Sequence, residues 1–500
     1  MTTSSKPHEG TVHPEGSCAK VVVSAPGKVL LTGGYLVLDK SYTGLVVSVP
    51  YARFYAATSF SSGSGPAGQV RVHSPQFPKD PPLLYPIEED INGQAQLGDE
   101  TQGRKNPFVE SGLQWAIRIS SPNSLVHKGR PSTLDIHILG DNAFYSPRHH
   151  LTVTGLSPSF TSVTTSLSPF LTHTTRLSDT PKTGLGSSAA LTTSLVGALL
   201  VLAKEVSDEL TESEKWLIHH VSQIAHCDAQ GKVGSGFDVS AAIWGSHIYR
   251  RFSPEMIKGK LDTREVSSGC WDGKAQPFSL PRGFTLYLAD ISTGSHTPSM
   301  VSKVNTWRKE HPREVSDLWS RLAKGNQSLE SIFQALGPKD NASKDEKDKY
   351  DHQLEQLSHI PVDQWEGKEG LMGSLSKLHS TFQEVRLCLR EMGEASGAPI
   401  EPPSQTKLLN ACQAIPGVIF AGAPGAGGYD AIFCLGIGKN VARRLEELWS
   451  SWTDGQITPL TMIPSSENDE GSELGDPGIR CTYVDQVTGL HDILNRGMDE

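Results

Sequence analysis

The residue types that handle phosphate are concentrated in one stretch, Lys182 to Val206, KTGLGSSAALTTSLVGALLVLAKEV. A lysine stands just ahead of a Gly-x-Gly-Ser-Ser turn. The turn runs straight into an apolar segment with Leu191, Leu195, Ala198, Leu199, Leu202 and Val206 at the spacing of one helix face. The first N–H groups of a helix have no internal partner and sit at the positive end of its dipole, so phosphate oxygens are natural guests there. Glycines let backbone approach such a guest, and Ser187 and Ser188 offer hydroxyls to a phosphate or to Mg²⁺. A glycine turn and serine cap ahead of a core helix would have the same composition. Alone, the stretch does not choose between them.

Further loops carry related chemistry. Lys28 follows a Pro26-Gly27 break in an apolar strand pattern, where a strand ends and a ligand could sit, although a solvated turn lysine would look the same. GKVGSGFDVSAAIWG reads as a Gly-rich loop carrying Lys232 and Asp238, and GAPGAGGYDA as a glycine turn between two strands.

The elements that must position these loops can be read from periodicity and punctuation. Short strands are predicted at residues 21–23, across 44–60, at 69–73 and over STLDIHILGD, with a helix over 106–120. Strands meeting strands through short turns predict a largely antiparallel sheet. Residues 151–180, rich in Ser and Thr, read as a long loop, and Thr211 with Glu214 as a capping box that opens a helix ending near Gln230. A second unit begins with FTLYLAD, continues through helices with Thr297-Pro298 at a helix start, and passes a charged break at 339–349. It closes with a helix over 371–394, the strand-loop-strand around GAPGAGGYDA, a helix over 440–452 and strands near 458–462 and 479–484. That order, β-α-β-β-α-β with extra helices, is ferredoxin-like.

Composition removes several function classes. Five hundred residues with ordinary apolar content allow two or three domains, and a net charge of −10 leaves no basic stripe for nucleic acid. No run of 18 apolar residues suggests a membrane span. Residues 1–18 read as a disordered tail without the apolar core of a signal peptide. Seven scattered cysteines without a CxxC pair suit a reducing compartment, so a cytoplasmic protein is expected. Neither a zinc-type His/Cys cluster nor a Walker Gly-x4-Gly-Lys-Ser/Thr loop is present.

APGKVLLTGGYLVLD, KTGLGSSAA and GAPGAGGYDA, in this order across some 400 residues, together resemble the three motifs of the GHMP kinase superfamily. Within it, Gly33-Gly34-Tyr35 in place of Gly-Glu-His, the lysine before TGLGSS, and AQGKVGSGFDV, DNAFYS and STGSHTPSMV look most like the phosphomevalonate kinase family of the eukaryotic, fungal-sized type. The resemblance covers about residues 19–435. It implies an α+β, two-domain GHMP fold. A ribosomal-protein-S5-domain-2-like ATP-binding domain (19–275) precedes a ferredoxin-like domain with helical insertions (276–500), with the active site between them. The implied reaction is ATP plus (R)-5-phosphomevalonate giving ADP and 5-diphosphomevalonate, with Mg²⁺, in a monomer or homodimer that needs no nucleic acid or membrane. Mevalonate as acceptor and a non-catalytic metabolite sensor are the alternative readings.

By the same resemblance, Lys28, Asp238 and Lys182 are the expected catalytic residues. Gly184, Leu185, Gly186, Ser187, Ser188 and Ala189 would hold the ATP phosphates, the two serines being the only clear Mg²⁺ ligands because Cys227-Asp228-Ala229-Gln230 offers no matching glutamate. Lys232, Ser146, Ser292, Gly294, Ser295, His296, Thr297, Gly425, Gly427 and Gly428 are candidates for the acceptor side.

Overall fold

The computed structural model describes residues 21–62, 68–89, 95–121, 124–125, 132–257, 271–291, 297–338, 341–365, 369–465 and 478–496. Val21 to Val23 and the apolar residues after Lys28 form one strand, β1 (Val21–Thr32), buried along nearly its whole length. It pairs antiparallel with the long β2 (Thr43–Ser62), and the register slips between Pro26 and Gly27. Proline gives no N–H to the ladder, and an irregularity of this kind bends a strand and re-aims the side chain that follows. That side chain belongs to Lys28.

The other strands are β3 (Gln69–His73), β4 (Leu83–Glu89), β5 (Ala95–Leu97), β6 (Ser132–Gly140), β7 (His247–Arg250), β8 (Lys274–Pro277), β9 (Phe284–Asp290), β10 (Val418–Gly422), β11 (Ala431–Ile437), β12 (Thr458–Pro464) and β13 (Arg480–Tyr483). Nine form one sheet in the order β13-β1-β2-β6-β3-β4-β5, with β7 joined to β2 and β8 to β7; every pair is antiparallel except β3 with β6. The remaining four make an antiparallel sheet ordered β10-β11-β9-β12.

Helices α1 (Pro107–Ile119), α2 (Arg148–Thr154), α3 (Ser187–Leu202), α4 (Glu212–Ala229) and α5 (Phe237–Trp244) belong to the first half of the chain. Asn106 caps α1 through its side chain, and the Thr211/Glu214 capping box opens α4 as its sequence predicts. Helix α3 differs from expectation: residues 189–200 are buried on every face, so it is a central helix and not a one-faced one, and it stops at Leu202 before reaching Val206. Burial all round follows from its packing against β1, β2, α1, α4 and α5 together.

The second half contributes α6 (Thr297–Glu310), α7 (Pro312–Ala335), α8 (Lys344–Leu357), α9 (Gly370–Ser396), α10 (Pro403–Gln413), α11 (Val441–Ser450) and α12 (Leu490–Arg496). Phe382 of α9 stacks on Phe420 of β10 at 3.9 Å, which seats the longest helix on the four-stranded sheet. Beneath it Arg386, almost fully buried, spends its guanidinium on Glu401, Gln413 and Asn410.

Four expectations are corrected. The 151–180 segment is not one loop: α2 ends within it and a π-helical turn covers Ser162–Ser166. From residue 344 the charged break is helical, because Ser343 and Glu346 form a capping box that the charge run hid. Part of the Gly-rich loop after Lys232 is helix α5, which begins immediately behind Gly236. The strand at Arg480–Tyr483, expected in the second unit, returns to pair with β1 at the edge of the first sheet.

Candidate active site

Lys28 and the Gly-x-Gly-Ser-Ser turn meet directly. The Lys28 backbone N–H donates to Leu185 O at 2.8 Å, and its ammonium donates to Gly184 O at 3.0 Å. Gly184 and Gly186 both hold the left-handed conformation, with φ of +74° and +82°, which a side chain would strain. At Gly27 a Cβ would lie 2.9 Å from Leu185 O, so strand and turn approach this closely only because glycine is there. The Lys28 ammonium also lies 5.5 Å from the centre of the Phe237 ring. Burial lowers its pKa, while the carboxylates of Asp238 and Asp430 act to raise it.

Gly186 is the N-cap of α3 and Gly236, with φ of +80°, that of α5; neither helix start has a side-chain cap. At α3 the first N–H donors are left for a ligand, while at α5 the Asp238 carboxylate takes the Val239 N–H at 3.0 Å. Asp238 lies in the first turn of α5, two residues after the glycine at the N-cap position, with its Oδ1 accepting the Val239 N–H.

Between these helix starts stands His226 of α4. Its Nε2 is 3.1 Å from Ser188 Oγ, 3.4 Å from Gln230 Nε2 and 3.9 Å from Asp238 Oδ2, and the residue is only 3% exposed. Burial lowers its pKa, opposed by Asp238 and reinforced by Lys28. His226 directly precedes residues 227–230, where the family pattern leads one to expect a carboxylate, and nothing in its type marks it as a site residue.

The third glycine loop closes against the first motif. Gly425, Gly427 and Gly428 all have positive φ, Gly428 N–H donates to Ile400 O at 2.8 Å, and a Cβ on Gly427 would fall 2.2 Å from that same oxygen. Tyr35, itself at φ +64°, donates its hydroxyl to Ala426 O at 2.9 Å, and a Cβ on Gly34 would meet Gly425 O at 2.9 Å. Asp430 ends this loop. It lies close enough to act on the Lys28 ammonium, and its Cβ is 3.6 Å from where a Gly184 Cβ would stand. Asp430 stands in the motif GAPGAGGYDA, where an aspartate after a glycine turn has nothing by type to mark it as functional.

The remaining candidates fall into three groups. Lys182 is exposed and bridges to Tyr145 as an isolated strand pair, which brings it beside Ser146. The Ser146 hydroxyl is committed to Asp290 Oδ2 at 2.6 Å; Arg148 also reaches Asp290, by its Nε at 3.4 Å from Oδ2 and by a hydrogen bond to the backbone carbonyl. Lys232 is exposed on the turn after α4. Ser292, Gly294, Ser295 and His296 lie outside the described residues; Thr297 is described only as the first residue of α6.

No group of three or more His, Cys, Asp or Glu suited to a metal occurs among the described residues. Two hydroxyls at a helix start with one carboxylate nearby instead fit a hard cation that keeps its waters and takes most ligands from phosphates, which is the habit of Mg²⁺. No helix of the described residues is long and apolar enough to cross a membrane.

A model of the GHMP kinases N terminal domain matches residues 170–246, the span holding α3, α4 and α5. The peroxisomal phosphomevalonate kinase of Arabidopsis thaliana is 37% identical, aligned over 94% of this chain and 99% of its own length. That of Aspergillus fumigatus is 35% identical over 94% and 98%. Among solved structures, the Lin0012 protein of Listeria innocua superposes with a TM-score of 0.60 at 17% identity, covering 93% of this chain and 99% of its own. A Streptococcus pneumoniae phosphomevalonate kinase in complex with phosphomevalonate and AMPPNP superposes at 0.54 with 16% identity, covering 88% and 99%. At such identities the solved structures speak for a shared fold.

Proposed function

The chain belongs to the phosphomevalonate kinases of the GHMP kinase superfamily, and we propose that the cleft around Lys28 is where it performs that family's reaction. The enzyme transfers the γ-phosphoryl group of ATP to (R)-5-phosphomevalonate, giving 5-diphosphomevalonate and ADP on the mevalonate route to isoprenoids and sterols.

Phosphoryl transfer spreads negative charge over the moving group, so a protein accelerates it mainly by positioning and by fixed positive charge. The acceptor is a phosphomonoester whose second pKa is near ~6, so at neutral pH it is already mostly the dianionic nucleophile and needs no strong base. Repulsion between two polyanions is the obstacle. In our reading the N–H groups behind Gly186, with the Ser187 hydroxyl, hold the β- and γ-phosphates of ATP, and Ser188 turns its oxygen to their cation. Lys28, held by Gly184 O, bridges donor and acceptor phosphates. Asp238 and Asp430 favour the charged form of its half-buried ammonium, and Lys182 and Lys232 supply further positive charge. The loop from Gly425 to Gly428, clamped by Tyr35, covers the acceptor. Mg²⁺, held by the ATP phosphates with Ser187 or Ser188, would neutralise charge on the transferring group.

We assign the reaction to the cytoplasm, the reducing compartment that unpaired cysteines suit; Cys227, Cys388, Cys412, Cys434 and Cys481 are all free. The observation that carries the catalytic assignment is the seating of Lys28 on the Gly-x-Gly-Ser-Ser turn. Its test is Lys28→Met: turnover should drop about 10²- to 10³-fold, the usual loss on removing a donor aimed at developing charge, with the circular dichroism spectrum unchanged. Turnover close to that of the parent would take Lys28 out of the mechanism.

A further inference from the structure

Helix α4 carries a histidine that the reaction as described does not use. The Ser188 hydroxyl meets the His226 ring, and three polar groups surround a single ring nitrogen, Nε2. The Gln230 side-chain amide lies 3.4 Å from Nε2 and, with its NH₂ assigned to the ring side, donates to it, while Asp238 Oδ2 at 3.9 Å is beyond hydrogen-bond reach. An Nε2 that receives that N–H is unprotonated, so toward Ser188 it is an acceptor as well. The serine proton is then spent on the imidazole, and the lone pairs of Ser188 Oγ are left for the cleft. The opposite tautomer would donate to Ser188 and turn the hydroxyl proton outward, making Ser188 a donor to phosphate and a poor metal ligand. The ring has little freedom to change its role: it is 3% exposed, with Phe108 5.3 Å away between ring centres, and sits on a helix whose inner face is buried.

We propose that His226 is a positioning residue that fixes the Ser188 hydroxyl as an oxygen donor to the nucleotide-bound divalent cation. The inference rests on the assignment of ATP phosphates to the α3 start, but not on the identity of the acceptor. It also accounts for the lack of a glutamate in residues 227–230, because a serine oriented from behind supplies a ligand where no carboxylate is available. Partners that orient a metal ligand typically change metal affinity about 10- to 100-fold when removed.

The test compares His226→Leu, His226→Gln, Ser188→Ala and the His226→Leu/Ser188→Ala double variant. Mg²⁺-dependent binding of a non-hydrolysable ATP analogue is followed by calorimetry. His226→Leu should raise the Mg²⁺ concentration for half-maximal binding about tenfold, with binding of the metal-free analogue unchanged. His226→Gln, whose amide oxygen can reach the place of Nε2, should recover most of the loss. The double variant should be no worse than Ser188→Ala alone, since both changes remove one interaction. Multiplying effects, or a glutamine variant as poor as the leucine one, would overturn the proposal. Should His226→Leu fail to fold, ¹⁵N NMR of the histidine-labelled parent decides: an unprotonated Nε2 with a protonated Nδ1 is expected, and an Nε2–H signal for His226 would overturn it. Neither readout involves phosphomevalonate, so a wrong acceptor assignment would leave both outcomes legible.

Discussion

Gly186→Ala puts the contact between the phosphate turn and Lys28 under direct strain. The new Cβ would sit 2.9 Å from Lys28 Cε and 3.1 Å from its Cγ, and the residue holds φ +82°. Two costs follow and can be separated. The left-handed backbone penalises alanine by about 1–2 kcal/mol wherever it occurs. The Lys28 chain must also withdraw by roughly 0.6 Å to reach an ordinary carbon–carbon contact of about 3.5 Å, and this pulls the ammonium from Gly184 O. A misplacement of about 1 Å can cost 10²-fold in rate, so a fall in kcat of about 10- to 100-fold is expected. Gly155→Ala isolates the first cost, because Gly155 has φ +67° as the cap of α2 and nothing lies within 4 Å of its added Cβ. Both variants should lose similar stability in urea, and Gly155→Ala should keep the kcat of the parent in an ADP-release assay. If Gly186→Ala retains kcat to within about threefold, or Gly155→Ala loses as much, Lys28 placement by the turn is not what the rate depends on.

Acid should weaken the fold through His173, which is buried, stacked on Phe77 at 4.7 Å between ring centres and lowered to about 4 chiefly by burial. An unfolded histidine binds its proton near ~6.5, so between about pH 6.5 and 4 the unfolded chain is the better proton binder and stability falls as pH falls, by up to about 3 kcal/mol from this group. Urea midpoints from pH 7.5 to 4.5 should show a shallower acid loss in His173→Phe; parallel curves would refute the assignment. Arg386→Met removes the buried partner of Glu401 but leaves Arg390 on the same carboxylate at 3.1 Å, so a loss near the low end of the range for broken buried pairs, about 3 kcal/mol, is expected by urea unfolding. A loss under about 1 kcal/mol would show that Arg390 alone satisfies Glu401.

What the sequence conveyed and what it concealed follow from the range of the forces involved. Local signals were legible: the Thr211/Glu214 box starts α4, and glycines mark the loops whose φ values turn out positive. The same kind of signal at Ser343 and Glu346 lies inside a charge run, where it looks like part of a break between helices. The pairing of Arg480–Tyr483 with β1 joins residues more than 400 positions apart, and no short-range pattern encodes it. Within the site, lysines and glycines announce themselves by type. His226 and Asp430 do not, since a histidine on a buried helix face and an aspartate after a glycine loop have many ordinary explanations until the fold brings them to Ser188 and Lys28.

The acceptor is the part of the account that similarity carries furthest, and a substrate panel tests it without recourse to mutation. The purified protein is incubated with Mg-ATP and, separately, (R)-5-phosphomevalonate, mevalonate or no acceptor, and ADP release is followed together with the phosphorylated product. ADP release should depend on phosphomevalonate and match 5-diphosphomevalonate formation mole for mole. Release with mevalonate and none with phosphomevalonate would contradict the assignment, and ligand binding without turnover would contradict catalysis itself.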